Sequence, residues 1–139
     1  MIVDASAVMA ILGEEPDGPE FLDLLRRSPT HIGAPTLVEL AIVLRHRIDR
    51  APEHLDAFLR ATDTSVVSFT AEHAQVARAA YRTYGKGSGS KARLNFGDCL
   101  AYAVATVADE PLLFQGTDFG HTDVRDARVT DGGDATPPR

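Results

Sequence analysis

The chain has 139 residues, 44% apolar and 24% charged, which fits one globular domain and excludes collagen-like, coiled-coil and wholly disordered architectures. Its 20 acidic residues outweigh 14 basic ones for a net charge of −6, which as a total argues against a protein that coats nucleic acid. One cysteine, Cys99, permits neither an internal disulfide nor a cysteine-rich zinc site.

Met1-Ile2-Val3-Asp4 carries no basic n-region and no signal-peptide core. The longest uncharged apolar runs, Ala5 to Leu12 and Cys99 to Ala108, fall short of the roughly 18–20 residues that span a bilayer. The expectation is a cytoplasmic protein with no membrane partner. Met1 to Ala5 reads as a short buried strand and Ser6 to Leu12 as a short apolar helix ended by Gly13-Glu14-Glu15-Pro16. A second helix spans Gly18 to Arg27, with Phe21, Leu24 and Leu25 at helical spacing. A weak strand, His31 to Pro35, precedes a helix from Thr36 to Arg47 that turns Leu37, Leu40, Ala41 and Leu44 inward.

Pro52 suits the first turn of a helix running to about Thr62, with Leu55, Phe58 and Leu59 inward. Ser65 to Phe69 is the next strand, and Thr70 caps a helix to about Tyr84. Gly85 to Ser90 is a glycine-serine loop. Asn95 to Ala108 is a helix apolar on nearly every side, hence buried. Leu112 to Gln115 and Ala127 to Thr130 are the last strands, before a frayed tail. Strands separated by helices imply an α/β fold: a single helix–sheet–helix sandwich with a central parallel sheet of four to five strands.

Ligands of such sheets sit beyond the carboxyl ends of the strands. Asp4 closes the first strand, Glu39 and Asp98 lie in the first turns of their helices, and Asp118 follows the fourth strand, with Asp123 a short turn further on. Each has a purely structural reading. Thr36-Leu37-Val38-Glu39 spells a capping box, Asn95 to Asp98 a weaker cap, and Asp118 a turn residue. Asp4 is hardest to explain so, because a charge ending a buried strand is costly without a partner. Four acids on one edge repel one another, and an oxygen-rich set without histidine or thiolate selects hard ions such as Mg²⁺ or Mn²⁺. The Ser6 hydroxyl can cap its helix, or bond a metal-bound water or a phosphate.

Four stretches, in this order and separation, resemble PIN-domain ribonucleases, and in particular the VapC toxins of type II toxin–antitoxin pairs. They are Ile2-Val3-Asp4-Ala5-Ser6-Ala7, Ala34-Pro35-Thr36-Leu37-Val38-Glu39, Leu94-Asn95-Phe96-Gly97-Asp98-Cys99, and Phe114-Gln115-Gly116-Thr117-Asp118 continuing to Thr122-Asp123. The resemblance implies a PIN domain over residues 1–131, with 132–139 a flexible tail. It implies that Asp4, Glu39, Asp98 and Asp118, with Ser6 beside the first, hold one or two Mg²⁺ or Mn²⁺ ions. It also implies an RNA substrate, a cognate VapB-type antitoxin and a homodimer. Asp123, and Thr117 next to Asp118, are possible additions to the site. Relatives commonly carry a His-Pro pair before the Leu-Asn-Phe-Gly-Asp block, where this chain has Ser90-Lys91. The expected reaction is phosphodiester hydrolysis, in which an ion polarises a phosphoryl oxygen and activates water for in-line attack.

The charge is uneven. His73 to Gly97 contains no acid but carries Arg78, Arg82, Lys86, Lys91 and Arg93, a net +5 beside a remainder of −11. Arg78, Arg82 and Lys86 repeat every four residues, and Tyr81 and Tyr84 sit beside them as stacking candidates, which makes this an expected RNA-guiding ridge leading through a flexible loop to Asp98. Five histidines show no metal-ligand spacing and read mostly as surface residues, and Cys99 reads as packing. A phospho-aspartate receiver or haloacid-type phosphatase fails because the third strand ends without an aspartate and the first lacks D-x-D. The remaining alternative is a catalytically weak PIN-like binding module that acts through its antitoxin.

Overall fold

The computed structural model describes residues 1–129. Among these residues are four strands and six helices, a pair of helices after each of the first three strands: β1 (Ile2–Val3), α1 (Ala5–Leu12), α2 (Gly18–Arg27), β2 (His31–Gly33), α3 (Ala34–Arg45), α4 (Ala51–Ala61), β3 (Ser65–Val67), α5 (Ala71–Tyr84), α6 (Phe96–Ala108) and β4 (Leu112–Leu113). A 3₁₀ turn, Asp118–His121, follows. The sheet is wholly parallel in the order β3-β2-β1-β4, with Ile2 opposite both His31 and Leu112, and Val3 opposite Leu113.

Successive strand residues point to opposite faces, and two cores result. Ile2 and Leu112 join α5, α6, Phe114 and Phe119 on one face. Val3, Ile32 and Leu113 join α1 to α4 on the other. β1 lies second from one edge, paired on both sides, so its carboxyl end is flanked by the ends of β2 and β4. This places Asp4 centrally among the strand-to-helix connections.

Several boundaries differ from expectation for local reasons. α1 begins at Ala5, because Asp4 rather than Ser6 is its cap and accepts the Ser6 N–H. α3 begins at Ala34, two residues early, with Gly33 as its cap and no side-chain cap bond. The Thr36–Glu39 capping box therefore does not form: Thr36 is buried, and Ala41 faces solvent. His73 is buried too, as the reciprocal partner of Thr70 in the α5 capping box.

The fifth strand is reduced to one bridge, Leu112 to Asp126. Asp126 accepts the Arg128 N–H at 2.9 Å and three guanidinium bonds, and Arg128 lies over the Phe114 ring at 4.6 Å. That turn ends the pairing with β4, and Val129 beyond it is exposed. Thr130 and the expected tail, 132–139, lie outside the described residues. Among those described, no helix is long and apolar enough to cross a membrane.

Candidate functional site

Asp4 occupies the junction of β1 and α1, buried to 5% exposure. Its Oδ2 accepts the Ser6 N–H at 3.1 Å and the Ser6 hydroxyl at 2.5 Å. Ser6 Oγ in turn accepts the backbone N–H of Gln115 at 3.0 Å, just beyond β4. The hydroxyl thus ties the first acid to the segment leading to Asp118. Burial raises the Asp4 pKa, Ser6 opposes that rise, and the charge of Glu39 adds to it.

Asp98 enters the site on a rigid helix start. Asn95 Oδ1 accepts the Asp98 N–H at 2.9 Å, while Asp98 Oδ2 accepts the Asn95 N–H at 3.0 Å, a complete capping box. The box uses one carboxylate oxygen of Asp98 and leaves Oδ1 for other partners. Burial raises its pKa to about 6; the Asn95 N–H and Lys86 pull it down, and the charges of Asp4 and Asp118 push it up.

Glu39 reaches the same place from α3. A Cβ on Gly97 would stand 1.9 Å from Glu39 Oε2, so the carboxylate lies against the α6 backbone beside Asp98. Burial and then the charge of Asp98 raise its pKa. Gly97 is a site residue to which sequence reading assigned no role, since a close approach between two helices leaves no local pattern. Asp118 arrives last, exposed, in the 3₁₀ turn after Gly116, whose φ of +90° turns the chain at the end of β4. Phe119 anchors that turn, buried with its ring 5.2 Å from Phe114.

The structure therefore brings Asp4, Glu39, Asp98 and Asp118 within reach of one another's charge. Asp123 is held differently: the Tyr102 hydroxyl donates to its Oδ1 at 2.5 Å. Thr117 is exposed and caps nothing with its side chain. Cys99 is buried, its thiol pushed up to about 11, and so is no nucleophile at neutral pH.

An all-oxygen set in which burial and neighbouring carboxylate charge raise the pKa of Asp4, Glu39 and Asp98 has the chemistry of a hard divalent cation site. Among the described residues, no three such donors close into a ready-made cage. Mg²⁺ is usually held by one or two carboxylates, with waters and substrate phosphate completing its shell, so the donor set fits.

The basic segment runs toward this site. Arg78 and Arg82 are exposed on α5, Lys86 follows its end, and Lys91 and Arg93 are exposed in the loop. None of the five pairs with a carboxylate among the described residues. The loop is tied rather than open: Leu94 N–H bonds Tyr84 O at 2.9 Å, Lys86 N–H bonds Leu94 O at 3.1 Å, and Ala92 and Leu94 are fully buried. Tyr81 is half exposed, but Tyr84 packs on Tyr102, with centroids 5.8 Å apart, and is not free to stack on a base.

Comparison with known proteins places this geometry in a family. The family model of the PIN domain matches residues 1–125. Ribonuclease VapC42 of Mycobacterium tuberculosis is 47% identical over 131 residues, covering 91% of this chain and 98% of its own. Ribonuclease VapC28 of the same species is 43% identical over 129 residues, covering 91% and 97%. A solved structure described as a toxin–antitoxin complex from Klebsiella pneumoniae shares the fold, with a TM-score of 0.60 at 17% identity over 85% of this chain and 88% of the other. The chain belongs to the PIN-domain family and, within it, to the VapC ribonucleases.

Proposed function

We propose that this chain is the toxin of a type II toxin–antitoxin pair, a metal-dependent endoribonuclease whose centre is Asp4, Glu39, Asp98 and Asp118. The observation that carries the reading is the convergence of Asp4, Glu39 and Asp98, three carboxylates from three separate elements, at one edge of a parallel sheet, where burial first and then neighbouring carboxylate charge raise their pKa values. Mg²⁺, with Mn²⁺ as substitute, is the cation proposed for them. When bound it supplies Lewis acidity to a phosphoryl oxygen and acidifies a water.

The chain's own residues do the rest. Ser6 orients Asp4 through Oδ2 and fixes it to the end of β4. The Asn95 cap aims Asp98, and the bare Gly97 backbone receives Glu39. Arg78, Arg82, Lys86, Lys91 and Arg93 guide the RNA backbone, with Lys86 close enough to act on Asp98. Asp123, anchored by Tyr102, and Thr117 frame the turn that carries Asp118.

The proposed partners are a cognate VapB-type antitoxin and a second copy of this chain. Supporting them are a groove of about 310 Å³ lined by Met9, Leu12, Leu44 and Ile48 with Glu14, Glu15 and Arg47 at its sides, and the exposed Val38 and Ile42 on α3. An RNA substrate and an antitoxin both point to the cytoplasm as the place of action.

The test is cleavage of structured RNA by chain purified free of antitoxin, with Mg²⁺, Mn²⁺ or chelator, beside Asp4→Asn and Asp98→Asn. Cleavage is expected only with a divalent ion and only in the unmodified chain. Equal cleavage by all three proteins overturns the metal-site assignment.

A further inference from the structure

Two grooves flank the start of α6, separated by Phe96 and Leu100, and they differ in charge. The groove toward α3, about 500 Å³, is lined by Pro35, Val38, Ile42 and Val43, and its one charged residue is Glu39. The groove toward α5, about 560 Å³, has a floor of Ala77, Cys99 and Leu100. Its charged residues are Arg78 and Lys86, and Asn95 lines it as well. A polyanion is repelled by the first groove and attracted by the second.

The α5 groove also offers the surfaces a nucleobase needs. Tyr81 is 48% exposed and Phe96 78% exposed, two aromatic side chains left largely in water beside an apolar floor. Stacking on such rings adds to single-strand affinity beside the electrostatic attraction of the backbone and tolerates any base, and it needs a base that is unpaired and splayed out. Asn95 uses Oδ1 to cap Asp98, and its amide N–H₂ group makes no hydrogen bond among the described residues, which leaves it to donate to a base edge. Since Asn95 is the partner of Asp98, and Lys86 acts on that same carboxylate, the groove adjoins the acidic centre.

We propose that this groove is a nucleobase subsite: it takes one unpaired base of the RNA substrate next to the scissile phosphate. Tyr81 and Phe96 supply the aromatic surfaces, and Arg78 and Lys86 neutralise the adjoining phosphates. The proposal rests on the ribonuclease reading and adds a requirement for a single-stranded base at a fixed distance from the cut.

The experiment uses full-length chain free of antitoxin, a cleavable single-stranded RNA, and copies of that RNA with an abasic site moved one position at a time. One abasic position beside the cut should raise KM about tenfold, the size of one lost base–aromatic stack, with little effect elsewhere. In Tyr81→Leu that position should lose its penalty, and Tyr81→Phe, which keeps the ring, should restore it. A flat abasic scan in the unmodified chain, or the same abasic penalty in Tyr81→Leu, overturns the subsite. So does a change of oligomeric mass in Tyr81→Leu and Phe96→Ala without any change in the KM ratio, which marks the groove as a protein contact. The ribonuclease reading stands or falls separately, on whether Asp98→Asn abolishes divalent-dependent cleavage.

Discussion

Oε2 of Glu39 lies only 1.9 Å from the position a Cβ on Gly97 would take. An alanine at 97 fits only if the carboxylate moves. Gly97→Ala is therefore expected to lower cleavage and Mn²⁺ affinity by about 10- to 100-fold, the usual cost of displacing a group that positions a metal ligand. Glu39→Asp in the same chain shortens the intruding side chain and should recover part of the loss, read by RNA cleavage and calorimetry.

Ser6 holds Asp4 and Gln115 together. Ser6→Ala leaves the buried Asp4 carboxylate without its hydroxyl donor and the Gln115 N–H without its acceptor. The expected loss of stability is about 1–3 kcal/mol, visible as a lower urea midpoint at unchanged slope. An unaltered midpoint removes the tether from the account.

The acidic cluster makes the metal-free protein sensitive to pH. Asp98 titrates at about 6 in the fold against an ordinary value of 3.8. Between those values the native state keeps a proton that the unfolded chain has released. Stability in the absence of divalent ions therefore falls as pH rises through that window and stays lower above it. Asp98→Asn should melt higher than the unmodified chain at pH 7 in chelator, by about 1 kcal/mol or roughly 3 °C after allowance for solvent screening. The two should converge at the acid end of the window, and Mg²⁺ should raise the melting point of the unmodified chain only.

Tyr102→Phe removes the donor that anchors Asp123. Asp123 is exposed, so the expected cost is small, about 1 kcal/mol, with Mn²⁺ affinity held within about twofold. A tenfold loss of affinity would make Asp123 a ligand rather than an anchor.

The basic ridge is tested by its salt dependence. Replacing Arg82, Lys86 and Lys91 together by alanine should weaken RNA binding and flatten the log–log salt slope by about 2, the contribution of three phosphate contacts on a single strand. An unchanged slope shows that the segment only solvates the surface.

The parts of this molecule that were legible in its sequence are those written locally. Thr70 before α5, Pro52 near the start of α4 and the acid ending β1 each act within a few residues, and each is found where its pattern places it. Glu39 shows the limit. Its spacing from Thr36 suggests a cap, but Gly33 begins the helix, and the carboxylate is drawn to a backbone nearly sixty residues away. Tyr84, expected as a stacking surface, and His73, expected at the surface, differ for the same kind of reason, because packing against Tyr102 and pairing with Thr70 claim them. Among the described residues, the last expected strand is only the Leu112–Asp126 bridge, because β propensity is outweighed by one aspartate–arginine turn.

The hydrogen bond from Gln115 to Ser6 spans 109 residues of chain and carries a consequence for synthesis. A ribosome delivers Asp4, Ser6 and Glu39 early, but Asp98, the Gln115 amide and Asp118 come late, and β4 must slide in beside β1 before the acids share one edge. On the proposed reading, the acidic edge is complete only once Asp98, the Gln115 amide and Asp118 have followed the first half of the chain, which leaves an interval in which an antitoxin can bind before cleavage begins.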